Sequence, residues 1–383
     1  MRDTTITELA VFRYDLRYRH GRYVMSGERV ITTLPAIVVR VRTADGVVGY
    51  GEACPLGPAY LPGFGGGVEA VLAELGPQLI GADAVRLGEL NALMDRRLSG
   101  HGYAKSAVDI ACWDVLGKVT GLPVADLLGG VRQERFPLYV AIPLESKEVM
   151  VSYVRDRRAE GIHYFQLKLG EHPGEDAQRV AAVVEATDDQ DVIVADANCG
   201  WKLQDATVAA RLLEPMPRVY LEQPCATIEE CLAVRRLTSL PFILDEVITD
   251  VASLLRAYQA QGLDAVNLKI SRVGGLTKAR LIRDLATALG LRLTIEDTWG
   301  GDLTTAAVSH LAASTDPDSL FMVSFMNDWT DGHIGGYQPR SEHGFGAAPA
   351  APGLGLDIDE ALLGEPVLRF GAAGPAGLAQ DAP

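Results

Sequence analysis

The sequence predicts an α/β protein: a closed parallel barrel of the (β/α)7β type joined to an α+β capping domain. Three observations carry this expectation. After about residue 135, eight short apolar runs recur, spaced on the order of 23–29 residues apart. Amphipathic helical stretches lie between them, so strand and helix alternate. Before that point the grammar differs, with strand-like alternation in the first 50 residues.

The capping region comes first. Ile6, Val11, residues 36–41 and residues 47–50 read as strands, and the Asp45-Gly46 step between the last two is a hairpin signal. Helical spacing follows over residues 66–122. Together they predict a small antiparallel sheet with helices over residues 1–130.

The barrel is expected over residues 131–345, on the runs 138–142, 164–169, 192–196, 219–222, 242–245, 265–270, 291–296 and 320–323. Helical spacing is clearest at 175–185, 203–213 and 276–289. An open doubly wound sheet would want a glycine-rich turn after its first strand. The run at 138 continues instead as Pro143-Leu-Glu-Ser. Residues 352–358 and 367–370 are strand-like again, so the segment 346–383 is expected to return to the N-terminal sheet, with a frayed tail from Gly371.

Composition narrows the function. Hydrophobic residues make up 48% and charged residues 22%, which suits a large folded core and not a disordered chain. A net charge of −15 argues against nucleic acid or an anionic membrane as partner, since both call for basic patches. No run approaches the roughly 18 apolar residues of a membrane span, and the N-terminus has no secretory pattern. Five scattered cysteines (Cys54, Cys112, Cys199, Cys225, Cys231) suggest reduced thiols, so a cytoplasmic protein is expected.

The chemistry lies in what ends the runs. Lys168, Asp196, Glu222, Asp245 and Lys269 stand at the ends of the second to sixth runs in turn, the two lysines one residue before the last apolar position. In a parallel barrel all strand C-termini emerge on one face, and active sites are built there. Adjacent strands lie about 4.8 Å apart, so acids on three consecutive strands can converge on one cation. An all-oxygen set favours Mg²⁺ over zinc. A single acid or lysine after a strand is ordinarily a cap or a surface charge. Three acids in register, each ending a buried run, are different, because buried charge must be paired or bound to metal. The second and sixth strands face each other across an eight-stranded barrel, so the two lysines would flank a bound substrate. A nearby cation lowers a lysine's pKa toward that of a base. Such a site suits removal of the proton beside a carboxylate, a step that loads charge onto the carboxylate oxygens.

These residues resemble the enolase superfamily, in its muconate-lactonizing-enzyme subgroup. The likeness runs over nearly the whole chain, through Gln166-Leu-Lys168, Asp196-Ala-Asn198, Glu222-Gln-Pro, Leu244-Asp-Glu246 and Leu268-Lys-Ile-Ser. The resemblance implies acid/base roles for Lys168 and Lys269, and Mg²⁺ ligation by Asp196, Glu222 and Asp245. It also implies that Asn198 and Glu246 orient the ligands and Lys269. One departure is clear: the subgroup usually carries Lys-x-Lys where this chain has Gln166-x-Lys168.

A narrower likeness is to the branch acting on proline analogues, which includes cis-3-hydroxy-L-proline dehydratases and hydroxyproline betaine 2-epimerases. It rests on residues 51–62, Gly102-Tyr-Ala-Lys, Glu222-Gln-Pro-Cys225 and Ile295-Glu-Asp297-Thr-Trp299-Gly-Gly-Asp. It implies a lyase or an isomerase acting on a cyclic amino acid carboxylate, with Tyr60, Gln166, Asp297 and Trp299 at the substrate. Asp297 would face the ring ammonium, and Trp299 or Tyr60 would offer it an aromatic face. Capped barrels of this kind often assemble, so a homo-oligomer is expected. His310 reads as a core or capping histidine, His101 as a residue able to approach the site, and residues 63–68 as a lid hinge. Phe325-Met-Asn-Asp-Trp329 departs from the branch.

Overall fold

In the computed structural model, the described residues are 2–371. Of the tail expected to fray from Gly371, Gly371 itself pairs in a strand, and residues 372–383 lie outside the described residues. Eight strands form the barrel: Tyr139–Ile142, Tyr164–Lys168, Val192–Asp196, Val219–Glu222, Phe242–Leu244, Ala265–Lys269, Arg292–Glu296 and Leu320–Val323. Each pairs in parallel with the next in sequence, and a parallel bridge from Leu138 to Val323 joins the last strand to the first. The helices Lys147–Ala159, Pro173–Glu185, Leu203–Leu213, Ile228–Arg235, Val251–Gln259, Leu276–Ala288 and Asp302–Ala313 lie between them. The (β/α)7β expectation is met. These strands are buried on both faces, so they read as continuous apolar runs and not as alternation.

Register places the chemistry. Lys168 lies opposite Asp196, Asp196 opposite Glu222, and Lys269 opposite Glu296. Asp245 follows the short strand Phe242–Leu244 as the first residue of its loop.

The cap is an antiparallel sheet of Ile6–Tyr18, Thr33–Thr43 and Val48–Ala53. The Asp45-Gly46 hairpin forms, with Gly46 at φ 78°. Helix Gly102–Thr120 packs directly on the third strand, and two glycines permit this. A Cβ on Gly49 would stand 2.2 Å from the Ala111 carbonyl oxygen, and one on Gly51 would stand 2.1 Å from that of Ala107. Leu368–Gly371 pairs with the first strand. Residues 352–358, expected as strand, do not form one. Gly353 and Gly355 take φ near 75° and 73°. The backbone of Leu354 is spent on side chains, its N–H donating to Asp114 at 2.8 Å and its carbonyl meeting His310 at 3.1 Å. Among the described residues, no helix is long and apolar enough to cross a membrane.

Cap and barrel are joined by buried polar contacts. Glu52 accepts from Tyr14 Oη at 2.6 Å and from the N–H groups of Gly301 and Thr304, so that its carboxylate caps the helix Asp302–Ala313. Asp109 accepts from the N–H and hydroxyl of Thr277 on the barrel. A two-stranded hairpin, Tyr23–Met25 with Arg29–Ile31, reaches over the barrel mouth and hydrogen-bonds Leu144 and Asn198.

His310 is indeed a core histidine. It is fully buried, its Nδ1 accepts the Ala125 N–H at 3.2 Å, and its Nε2 therefore donates to the Leu354 carbonyl. The Ala125 N–H requires an unprotonated Nδ1 and hence a neutral ring, and burial lowers its pKa from 6.5 to about 4 against the opposing pull of the Leu354 carbonyl. The unfolded chain thus takes up a proton before the folded one does. The resulting stability is complete above pH 6.5 and drains away as pH falls toward 4, by about 3 kcal/mol. Urea unfolding of the wild type and His310→Asn at several pH values is expected to show this acid-side slope in the wild type alone. Equal slopes would refute it.

Candidate active site

The five run-ending residues meet at the barrel mouth, all of them buried. Lys168 Nζ donates to Asp196 Oδ2 at 2.5 Å and to Gln166 Oε1 at 2.7 Å. Lys269 Nζ donates to Asp245 Oδ2 at 2.6 Å and to Glu296 Oε1. Glu222 accepts from Asn267 Nδ2 at 2.7 Å and from Gln166 Nε2 at 2.9 Å. Asp196 Oδ1 takes the Asn198 N–H at 2.8 Å, and Asp245 Oδ1 takes Arg272 Nη1 at 2.6 Å.

The electrostatics are those of crowded acids. Burial, then Asp196 and Asp245, push Glu222 up to about 8, with the two lysines opposing. Burial also pushes against ionised Asp245, but Lys269 and Arg272 prevail and hold it at about 2. Burial works to lower the pKa of Lys168. Asp196 leads the groups that outweigh it, and the net shift is upward.

This donor set suits a hard divalent cation. It consists of buried carboxylate oxygens that repel one another, and Glu246 Oε2, Asn198 Oδ1 and Asn267 Oδ1 are buried acceptors without partners among the described residues. The acids are not gathered at coordination spacing, since no group of three His, Cys, Asp or Glu able to hold a metal forms among the described residues. The lysine ammonium groups supply the neutralising charge in this arrangement.

A small cavity, of about 30 Å³, opens beside the lysines. Tyr60, Gln166, Asp297 and Trp299 all line it, but three of them differ from expectation. Gln166 has each end of its amide engaged, by Lys168 and by Glu222. Asp297 has both oxygens consumed, by the Ser271 N–H and hydroxyl and by the Thr298 N–H, and burial raises it to about 6. Tyr60 donates to Glu246 at 2.6 Å and carries the Arg29 guanidinium 5.3 Å from its ring centroid. Glu246 is held by Tyr60 and Asn198 and does not touch Lys269. Lys269 is oriented by Asp245 and Glu296 instead.

Sequence reasoning missed several residues. Glu296 lines the cavity, and its signal was present: it ends the seventh run, opposite Lys269. Tyr23, Tyr139 and Trp329 form an aromatic wall with Trp299, and Tyr23 stacks on Trp329 at 6.5 Å. The 325–329 segment thus does line the site, through Met326 and Trp329. Arg272 carried no separate signal. His101 lines an outer groove beside Phe64 and is not among the residues lining the cavity.

Known proteins match this architecture over most of its length. A model of the mandelate racemase/muconate lactonizing enzyme N-terminal domain matches residues 10–129, and one of the enolase C-terminal-like domain matches 149–362. A cis-3-hydroxy-L-proline dehydratase from Roseibium aggregatum is 45% identical, over 95% of this chain and 99% of that protein. A mandelate racemase/muconate lactonizing enzyme from Roseovarius nubinhibens superposes with a TM-score of 0.93 at 35% identity, covering 97% of this chain and 99% of its own. A second enolase-superfamily structure from that organism, complexed with magnesium, gives 0.89 at 34% identity, covering 96% and 99%. The chain is an enzyme of the enolase superfamily, in its mandelate racemase/muconate lactonizing enzyme family.

Proposed function

We propose that this enzyme is a Mg²⁺-dependent hydro-lyase that converts cis-3-hydroxy-L-proline to 1-pyrroline-2-carboxylate. The observation that carries the reading is the lysine pair on opposite walls of the barrel. In this substrate the hydroxyl shares a ring face with the carboxylate. The Cα proton and the hydroxyl therefore leave from opposite faces, and each face needs its own proton-transfer group. Lys168 and Lys269 stand on strands two and six, one to each side. Likeness to the Roseibium dehydratase supports the same substrate.

Asp196, Glu222 and Asp245 would hold the cation. Once bound, it offsets the charge that builds on the substrate carboxylate as the Cα proton departs. One lysine takes the Cα proton, and the electron pair forms the C2–C3 double bond. The hydroxyl leaves as water with a proton from the other lysine. The enamine then tautomerises to the pyrroline. Glu296, with one oxygen on Lys269, supplies negative charge for the ring ammonium. The aromatic wall of Tyr23, Tyr139, Trp299 and Trp329 encloses the ring and excludes water.

Incubation with Mg²⁺ in D₂O, followed by NMR, tests the reading. Loss of the C3 signals and appearance of a pyrroline are expected from cis-3-hydroxy-L-proline. The same lysine pair also supports a second reading, inversion at Cα of proline, hydroxyproline or proline betaine. Deuterium at Cα with epimerisation and no pyrroline would replace the lyase by that 2-epimerase.

A further inference from the structure

The two aspartates at the mouth share an asymmetry. Each has one oxygen fixed to the protein frame and one oxygen that carries a lysine. On Asp196 the fixed oxygen is Oδ1, held by the Asn198 N–H at 2.8 Å. On Asp245 it is also Oδ1, held by Arg272 Nη1 at 2.6 Å. Each Oδ2 carries a lysine Nζ, from Lys168 on Asp196 and Lys269 on Asp245.

The two kinds of partner differ in mobility. Arg272 lies in the one-turn helix Ile270–Val273 that follows the sixth barrel strand, and it is 9% exposed. Its Nε donates to the Ile248 carbonyl at 3.1 Å and its Nη2 to the Asn267 carbonyl at 2.9 Å. Those carbonyls belong to the loop after the fifth strand and to the sixth strand itself. The guanidinium is a planar fork bolted at three points, so it cannot leave Asp245 without breaking two backbone contacts. A lysine ammonium sits on a flexible stem, and the proposed reaction needs both lysines at the substrate. When they turn to it, only the two Oδ2 atoms are released.

We infer that Arg272 is a metal-selectivity residue: by retaining Oδ1 it makes Asp245 a one-oxygen ligand, and so favours Mg²⁺ over Ca²⁺. Mg²⁺ takes six ligands in tight octahedral geometry and accepts single oxygens from carboxylates. Ca²⁺ takes six to eight oxygens and gains from two-oxygen carboxylate contacts. A locked Oδ1 on each aspartate denies it those contacts. Asn198 does this through its backbone, which substitution leaves in place. Arg272 does it through a side chain, which can be changed.

The inference rests on the Mg²⁺ reading above, and the experiment separates the two. Purified wild type, Arg272→Gln and Arg272→Lys are titrated with Mg²⁺ alone and with Ca²⁺ alone, by calorimetry and by tryptophan fluorescence. Removing a positive charge tightens both divalent ions alike, so the ratio of the two affinities is the readout. The wild type is expected to prefer Mg²⁺. In Arg272→Gln the ratio is expected to move toward Ca²⁺ by about tenfold or more, as for other groups that orient metal ligands. Arg272→Lys keeps one donor and is expected to shift less. It also serves as the second variant if Arg272→Gln fails to fold, as judged by circular dichroism. An unchanged ratio in the folded variants overturns the role of Arg272 and leaves the metal reading standing. A wild type that binds neither ion overturns both.

Discussion

Alanine at Lys168 or at Lys269 is expected to lower kcat by about a thousandfold or more, while Mg²⁺ binds more tightly than to the wild type. The first half follows from the loss of a positioned proton-transfer group, worth roughly 10²–10⁴ in rate. The second follows from the lysines' places on Asp196 Oδ2 and Asp245 Oδ2. An ammonium that sits on a carboxylate competes with any cation for the same oxygen, so its removal ends the competition. Without metal, Lys168→Ala leaves Asp196 with charge that is buried and unpaired, and breaking such a pair costs about 3–5 kcal/mol. Asp245 fares better in Lys269→Ala, because Arg272 remains. Thermal unfolding with and without Mg²⁺ is therefore expected to show a larger gain from metal in Lys168→Ala than in Lys269→Ala. Isotope exchange divides the roles further. The variant that lacks the base loses Cα exchange in D₂O, and the variant that lacks the acid keeps exchange but loses water elimination. A variant with full turnover, or with weaker Mg²⁺ binding, contradicts the arrangement.

The barrel was legible because its signal is periodic and repeated: eight continuously apolar strand runs, buried on both faces, alternate with seven helices. The ring of charged residues was legible for a related reason. A charge at the end of an apolar run stands out, and barrel topology turns sequence order into adjacency, as the register of Lys168, Asp196 and Glu222 bears out. The substrate-facing residues were harder to read. Glu296 and Asp297 are neighbours of the same charge, and the sequence does not say which has oxygen to spare. Backbone N–H groups decide it, since Ser271 and Thr298 consume Asp297. Tyr23, Tyr139 and Trp329 come from the cap hairpin, the first strand and the last loop, and each alone looks like an ordinary core aromatic. The false strand at 352–358 shows the converse. Its alternation is apolar, but its glycines turn the chain and buried side chains take its backbone groups.

Glu296→Gln is expected to lower kcat/KM for cis-3-hydroxy-L-proline by about a hundredfold or more, chiefly through KM. Glu296 is 2% exposed, and burial is the main cause holding its pKa well above the usual carboxylate range. A buried acid in that state keeps its proton unless a cation faces it, so its negative charge depends on having one. Lys269 supplies one in the free enzyme. A ring ammonium would supply one in the complex, leaving Lys269 free to transfer protons. Glutamine keeps the shape and an acceptor oxygen but removes the charge, and a buried charge pair loses roughly 2–5 kcal/mol when one partner goes. Asp297→Asn should behave differently, because its partners are backbone and hydroxyl donors that position the loop carrying Trp299. The decisive comparison uses a carbocyclic analogue with CH₂ in place of the ring nitrogen, scored as an inhibitor. Such a ligand has no ammonium, so Glu296→Gln should leave its affinity unchanged while weakening the binding of cis-3-hydroxy-L-proline. Equal losses for both ligands would mean that Glu296 works only by orienting Lys269, and the ammonium would then need another partner in the cavity wall.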